Sequence, residues 1–154
     1  MKLYIMRHAQ ASYSAPSDRE RPITESGIQQ TKDLLLKNSD QFSDINLIWS
    51  SDLLRAKQTA GLVSEALNIK AEEKNFLTPD SDVNQVLVAL EKLSSDDCLL
   101  IVSHQPLVGE LVSSLVHGNI RQAHPYATSE ILGLGLELVG LGVAKLDKQY
   151  LPVF

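Results

Sequence analysis

The sequence predicts an α/β protein, a three-layer sandwich whose largely parallel central sheet has helices on both faces and an antiparallel C-terminal edge. Short apolar runs alternate with amphipathic segments as strand then helix, four times over, and two strands close the chain. The run Asp97–Ser103 is uniformly apolar and partly β-branched in its middle, which is typical of a strand covered on both faces. With no linker or repeat, the 154 residues are expected to form a single domain, residues 1–154.

The first elements follow from short local signals. Lys2–Met6 is a short apolar run and predicts a buried strand. The polar segment Ala11–Pro22 is a loop, long for a compact domain, and such loops are often functional. Thr24 is a good N-cap for a helix that continues to about Asn38. Asn46–Trp49 predicts the second strand.

The middle of the chain predicts two more helices with a weak strand between them. The residues available to cap the second helix are Ser50, Ser51 and Asp52. That helix continues to Leu67, and Ile69–Asn75 is a weak third strand. Ser81 or Asp82 opens the third helix, which has its apolar residues on one side.

The C-terminal part follows the Asp97–Ser103 strand. Pro106 suits the first turn of a fourth helix, where its missing N–H costs nothing, and Gly118 can end that helix. Leu and Gly alternate over Leu132–Leu138, which predicts a strand with close backbone packing rather than a nucleotide-binding loop. A turn near Gly140 and a final strand over about Leu141–Leu146 complete the fold.

Composition excludes several classes of protein. The net charge is −5, from 14 basic and 19 acidic residues, which argues against broad binding to nucleic acid or to an anionic membrane surface. The single cysteine, Cys98, excludes a disulfide framework and is expected in the core. No apolar run approaches the roughly 18 residues of a membrane span. Arg7 and His8 interrupt any signal-peptide core, so we expect a cytoplasmic protein.

The unusual polar residues fall directly after three of the predicted strands. Arg7 and His8 follow the first strand, Arg55 follows the second, and His104 follows the strand that ends at Ser103. In an open parallel sheet the ligand crevice lies outside the carboxyl ends of the strands, so these side chains should meet there. Two arginines, two histidines and a nearby helix start predict a phosphate site.

Other chemistries fit these residues less well. Two histidines lack a third ligand at metal-binding spacing, and adjacent arginines would repel a cation, so no metal or other cofactor is expected. Ser103 lacks the Gly-x-Ser-x-Gly setting of a hydrolase nucleophile. His117 and His124 are expected on the surface or in a loop, although His124 could border the site.

Four segments carry a family resemblance. Leu3–Ala9 resembles the Arg-His-Gly signature of the histidine phosphatase superfamily, which has the phosphoglycerate-mutase-like fold, although Ala9 stands where many members have Gly. Arg21–Gly27, Ser50–Ala60 and Val102–His104 resemble the further motifs of that family, in the family's order. The short chain and the run Ser103–Gly109 are most similar to the SixA-type branch of phosphohistidine phosphatases.

The resemblance implies a role for each site residue. His8 is the nucleophile and becomes transiently phosphorylated, while Arg7, Arg55 and His104 hold the phosphoryl oxygens and stabilise charge in the transition state. Arg21 adds a contact from the loop side. Gln105, which follows the second histidine, is assigned to substrate binding.

A carboxylate that many relatives use to protonate the leaving group is missing from its expected places. One branch of the family has it directly after the second histidine, where this chain has Gln105. The other has it after the third strand, where this chain offers Asp80 and Asp82 as candidates. The alternative for Asp82 is that it caps the next helix. Without an acid the leaving group must depart easily. The pKa of imidazole is about 6.5 and that of water, close to an alcohol, is about 15.7.

The hypothesis is therefore a phosphatase for phosphohistidine on a protein, such as a histidine phosphotransfer domain or a phosphotransferase-system protein. The alternative is a small-molecule phosphomonoesterase of the same superfamily with Asp80 or Asp82 as acid. A mutase is disfavoured because the chain is short, and a pure phosphohistidine-binding module is disfavoured because it needs no nucleophile like His8.

Overall fold

The computed structural model describes residues 1–154. The strands are β1 (Lys2–Arg7), β2 (Leu47–Ser50), β3 (Ala71–Glu73), β4 (Cys98–Ser103), β5 (Ile131–Gly135) and β6 (Lys145–Tyr150). The helices are α1 (Glu25–Lys37), α2 (Leu54–Leu67), α3 (Val83–Glu91) and α4 (Leu107–His117), with short 3₁₀ turns at Asp18–Glu20 and Asn75–Leu77. None of the helices combines the length and the apolar character that crossing a membrane requires.

One six-stranded sheet in the order β3-β2-β4-β1-β5-β6 organises the molecule. β3, β2, β4 and β1 run parallel, β5 runs antiparallel to β1, and β6 runs antiparallel to β5. This confirms the predicted parallel sheet with an antiparallel C-terminal edge. Arg7 pairs with Ser103, and Ser50 pairs with Val102, so the carboxyl ends of β1, β4 and β2 lie level.

The two faces of the sheet bury two separate apolar clusters, which makes the three layers. Leu3 and Ile5 of β1 point to the face covered by α3 and α4, whereas Tyr4 and Met6 point to the face covered by α1 and α2. Every residue of β4 is buried, as expected for a central strand. Cys98 is part of this core.

The predicted helix boundaries agree with the caps. Thr24 accepts a hydrogen bond from the Gly27 N–H at 2.9 Å and begins α1. Asp82 begins α3 with a capping box, accepting from the Asn84 N–H at 2.9 Å. Gly118 ends α4 in the left-handed conformation, with φ of 84°.

The prediction for the last strand was wrong. The expected strand at Leu141–Leu146 is displaced to Lys145–Tyr150, and Leu141 and Val143 lie exposed in the loop before it. β6 is an edge strand whose first five residues are exposed, so its sequence is polar and carries no apolar alternation. The glycine alternation in β5 has the expected cause, since a Cβ on Gly133 would lie 3.1 Å from the Tyr4 ring.

Two helical glycines allow a matched test of this packing. A Cβ on Gly109 in α4 would lie 2.5 Å from the His124 carbonyl oxygen, whereas a Cβ on Gly61 in α2 would meet nothing within 4 Å. We expect Gly109→Ala to lower the free energy of unfolding by about 1–3 kcal/mol through overpacking. Gly61→Ala should raise it by up to about 1 kcal/mol through helix propensity. Urea denaturation measures both, and equal stability of the two variants would contradict this packing.

Candidate active site

The residues predicted for the site meet at the carboxyl edge of the sheet. Arg7 ends β1 and His8 follows it, Arg55 lies in the first turn of α2, and His104 follows β4. The rings of His8 and His104 have their centroids 5.1 Å apart. Both histidines are buried, as is Arg55, with relative exposures of 6%, 1% and 4%. The structure thus brings together the four side chains that the strand ends predict.

His8 is fixed by its own turn of backbone. Its Nδ1 lies 2.7 Å from the Ala9 carbonyl oxygen, and because a carbonyl only accepts, the ring proton sits on Nδ1. This leaves the lone pair of the neutral ring on Nε2. The Ala9 N–H donates to Thr59 Oγ1 at 2.9 Å, which ties the turn to α2. Ala9 is buried and its φ is negative, so Ala in place of the family's Gly fits this turn.

Burial keeps His8 neutral. Burial lowers the pKa of His8 to about 4, and the positive charges of Arg55, Arg7 and Arg21 act in the same direction, while the Ala9 carbonyl opposes them. The ring therefore carries a free lone pair throughout the neutral pH range.

His104 is neutral for the same reason. Burial lowers the pKa of His104 to about 2, with further contributions from His8 and the nearby arginines. Its Nε2 lies 2.8 Å from Ser51 Oγ, and its buried Nδ1 makes no hydrogen bond within the protein.

Each arginine is anchored through one edge of its guanidinium group. Arg7 Nη1 donates to the Tyr126 carbonyl at 2.8 Å, and Arg55 Nη1 donates to the Asp18 carbonyl at 2.7 Å. The Nε atoms of both arginines are buried and make no hydrogen bond within the protein. Together with His104 Nδ1, three buried nitrogen atoms of the site are without a protein partner.

The long loop brings a third cation and one carboxylate to the site. Arg21 Nε donates to the Ser12 carbonyl at 3.0 Å, and its guanidinium lies 4.0 Å from the Tyr13 ring centre. Asp18 accepts from Arg21 at 3.3 Å through one oxygen and from Arg55 at 3.3 Å through the other. Arg21 therefore lies on the loop side of the site, and its contact with the phosphoryl group stays a prediction.

Sequence reasoning missed Asp18. Its carboxylate is two-thirds exposed and sits in a loop of mixed polar residues, so neither spacing nor hydropathy marks it. Burial raises the pKa of Asp18, but the charges of Arg55 and Arg21 and their hydrogen bonds outweigh it, and the net shift is downward. Asp18 is therefore ionised at neutral pH.

The two carboxylates considered as acids have other partners. Asp82 caps α3, and Asp80 is exposed and accepts from Thr78 Oγ1 at 2.7 Å. Neither carboxylate forms a hydrogen bond or an ion pair with either histidine or either arginine of the site.

Both polar atoms of the Gln105 side chain make hydrogen bonds within the protein. Its Nε2 donates to the His124 carbonyl at 2.9 Å, and its Oε1 accepts from the Gly109 N–H at 3.1 Å. The side chain thus fastens the start of α4 to the loop that follows α4, and its part in substrate binding stays a prediction.

In the loop after α4, His124 contacts the buried carboxylate of Glu130 through Nε2, whereas His117 is exposed at the end of α4. No group of three or more His, Cys, Asp or Glu side chains is placed to hold a metal ion.

Comparisons with known proteins agree with this arrangement. Residues 3–78 match the family model of the histidine phosphatase superfamily, branch 1. Phosphohistidine phosphatase SixA of Escherichia coli is 35% identical over 146 residues, covering 92% of this chain and 89% of that protein. A SixA homolog of Haemophilus influenzae is 33% identical over 126 residues, covering 75% of this chain and 77% of that protein.

A solved structure extends the comparison to the fold. The protein histidine phosphatase SixA complexed with tungstate superimposes with a TM-score of 0.88 at 33% identity, covering 97% of this chain and 96% of the other. The sheet order, the paired histidines and arginines, and these matches lead to one conclusion. The chain is a phosphatase of the histidine phosphatase superfamily and belongs to its SixA-type members.

Proposed function

We propose that this phosphatase removes the phosphoryl group from phosphohistidine on a protein, through a covalent intermediate on His8. One observation carries the proposal. His8 is held by the Ala9 carbonyl with its Nε2 lone pair free, in a cluster with three buried nitrogen atoms that lack a protein partner. These three atoms belong to Arg7, Arg55 and His104, and all three suit a phosphoryl group as hydrogen-bond donors.

In the first step His8 Nε2 attacks phosphorus in line with the leaving nitrogen. The new N–P bond forms as the N–P bond of the substrate breaks, and the substrate ring, protonated on its second nitrogen, leaves as neutral imidazole with the electron pair. Water then attacks the phosphoryl group on His8, the Nε2–P bond breaks with its electron pair returning to the ring, and the attacking water loses a proton to solvent. Inorganic phosphate and neutral His8 result. A neutral nucleophile is required in the first step, and burial of His8 supplies it.

The charge that develops on the phosphoryl oxygens meets fixed donors. Arg7 and Arg55 provide two positive charges, each held by a backbone carbonyl before any ligand arrives. Fixed donors aimed at developing charge need no reorganisation during the reaction, and this is a large source of rate enhancement in enzymes.

The contacts of the nearby carboxylates favour a substrate whose leaving group departs without help from an acid. Asp18 is the carboxylate bound to the arginines of the site, and two positive charges hold it ionised, so it has no proton to give at neutral pH. Asp82 is used as a helix cap, and Asp80 contacts Thr78. Imidazole is a far better leaving group than an alkoxide, so phosphohistidine suits a site without an acid.

A protein substrate is supported by the surface around the site and by the relatives. His8 and His104 line none of five surface cavities of 240–590 Å³, so none of these five cavities encloses the nucleophile. The SixA relatives carry the names phosphohistidine phosphatase and protein histidine phosphatase, and one binds tungstate, a tetrahedral oxyanion like phosphate. A phosphotransfer domain or a phosphotransferase-system protein fits as partner.

The substrate class is tested by measuring kcat/KM for a phosphohistidine protein beside that for an alkyl phosphomonoester. We expect a strong preference for phosphohistidine that His8→Ala abolishes. Asp80→Asn and Asp82→Asn should leave turnover unchanged, and Asn caps helices as well as Asp does, so both should fold. If kcat/KM for the ester equalled that for the phosphohistidine protein, the enzyme would instead be a small-molecule phosphomonoesterase. Loss of ester hydrolysis in Asp80→Asn or Asp82→Asn would identify the same activity.

The neutral nucleophile predicts an unusual titration. Because burial disfavours the charged ring, the pKa of His8 lies below its ordinary value of 6.5, and NMR titration should give a midpoint near pH 4. The His8 signals are assigned by their absence in His8→Asn. A midpoint between pH 6 and 7 would show that the ring is not shielded from solvent in this way.

A further inference from the structure

We infer that Ser51 is a positioning residue, whose hydroxyl donates to His104 Nε2 and thereby keeps the single ring proton on Nδ1, the nitrogen left free for a ligand. The position of the His104 ring proton follows from the hydrogen-bond geometry alone. Its consequence for catalysis rests on the proposed function.

The Ser51 hydroxyl has a fixed position. Ser51 has no exposed surface, and it directly follows β2. Its N–H donates to the Val102 carbonyl at 3.1 Å, and its carbonyl accepts from Ser50 Oγ at 2.7 Å. The backbone is therefore held from both sides, and Oγ lies 2.8 Å from His104 Nε2.

A count of protons decides the direction of this hydrogen bond. A hydroxyl has one proton to donate and two lone pairs to accept with. The Leu53 N–H already donates to Ser51 Oγ at 3.2 Å. If His104 Nε2 also donated, the Ser51 proton would be buried with no acceptor, and the buried Nδ1 lone pair would lack a donor as well. If the hydroxyl donates instead, only the Nδ1 proton lacks a partner within the protein, and a phosphoryl oxygen can accept it. The hydroxyl therefore donates to Nε2, and Nε2 is unprotonated.

The tautomer of His104 follows directly. The ring is 1% exposed and stays neutral beside Arg55 and His8, so it carries one proton. With Nε2 accepting, that proton is on Nδ1, whose hydrogen bond is not used within the protein. His104 then presents an N–H to a phosphoryl oxygen rather than a lone pair that would repel it.

Removal of the Ser51 hydroxyl should allow the ring proton of His104 to move from Nδ1 to Nε2. In Ser51→Ala nothing accepts or donates at Nε2, so the proton can move there and leave the Nδ1 lone pair toward the ligand. Ser103→Ala is a matched control, because Ser103 is equally buried and adjacent to His104, but its hydroxyl donates to the Leu77 carbonyl at 2.7 Å.

The direct test is ¹H–¹⁵N multiple-bond NMR of the histidine rings in the ligand-free protein at neutral pH. We expect His104 as the Nδ1–H tautomer in the unaltered protein and in Ser103→Ala, and a mixed or Nε2–H population in Ser51→Ala. The Nε2–H tautomer in the unaltered protein would overturn the inference, even if Ser51→Ala failed to fold. An unchanged tautomer in folded Ser51→Ala would overturn it as well.

Kinetics give the second readout. One neutral hydrogen bond lost from the transition state should lower kcat by about tenfold, with a smaller change in KM. Ser103→Ala should show no such split between kcat and KM. A shifted tautomer with unchanged kcat would remove the positioning role. Failure to act on phosphohistidine would reject the proposed function instead, because the tautomer is measured without any substrate.

Discussion

The rest of the structure depends on one constraint. Two imidazole groups and two guanidinium groups come together below the surface, at the carboxyl edge of a parallel sheet. Cations are costly to bury without partners, and here the backbone supplies them, with the Tyr126 carbonyl on Arg7 and the Asp18 carbonyl on Arg55. The same burial makes both histidines neutral. Positive charge and an uncharged nucleophile can therefore coexist in one site, which phosphoryl transfer to a histidine requires.

The loops around the sheet serve this arrangement. Asp18 links Arg55 to Arg21 across the mouth of the site, so one exposed carboxylate orders two cations. On the other side Glu130, buried at 2% exposure, accepts from the Ala127 N–H at 2.9 Å and contacts His124. These contacts hold the segment that presents the Tyr126 carbonyl to Arg7. The anchor of Arg7 thus belongs to a segment fixed by these contacts, whereas the anchor of Arg55 belongs to the exposed loop that carries Asp18.

Much of this could be predicted from sequence because the informative residues are adjacent to strongly patterned elements. Arg7, His8 and His104 directly follow apolar strands, and parallel strands end at one edge, so their meeting needed no tertiary information. Thr24, Asp82 and Gly118 mark helix ends by local chemistry. β6 could not be predicted, because an edge strand with exposed side chains has no apolar alternation. The contacts of Asp18 with Arg55 and of Gln105 with the His124 carbonyl could not be predicted either, because each joins segments that are far apart in the chain.

The proposed reaction requires His8 to take the phosphoryl group on Nε2, because the Ala9 carbonyl holds the proton on Nδ1. The most direct measurement is to quench the reaction with base within milliseconds, map the labelled peptide by mass spectrometry, and assign the phosphohistidine isomer by ³¹P and ¹⁵N NMR. We expect a base-stable, acid-labile phosphoryl group on His8 at Nε2. A phosphoryl group on Nδ1 or on His104, or turnover with no phosphorylated enzyme, would contradict it.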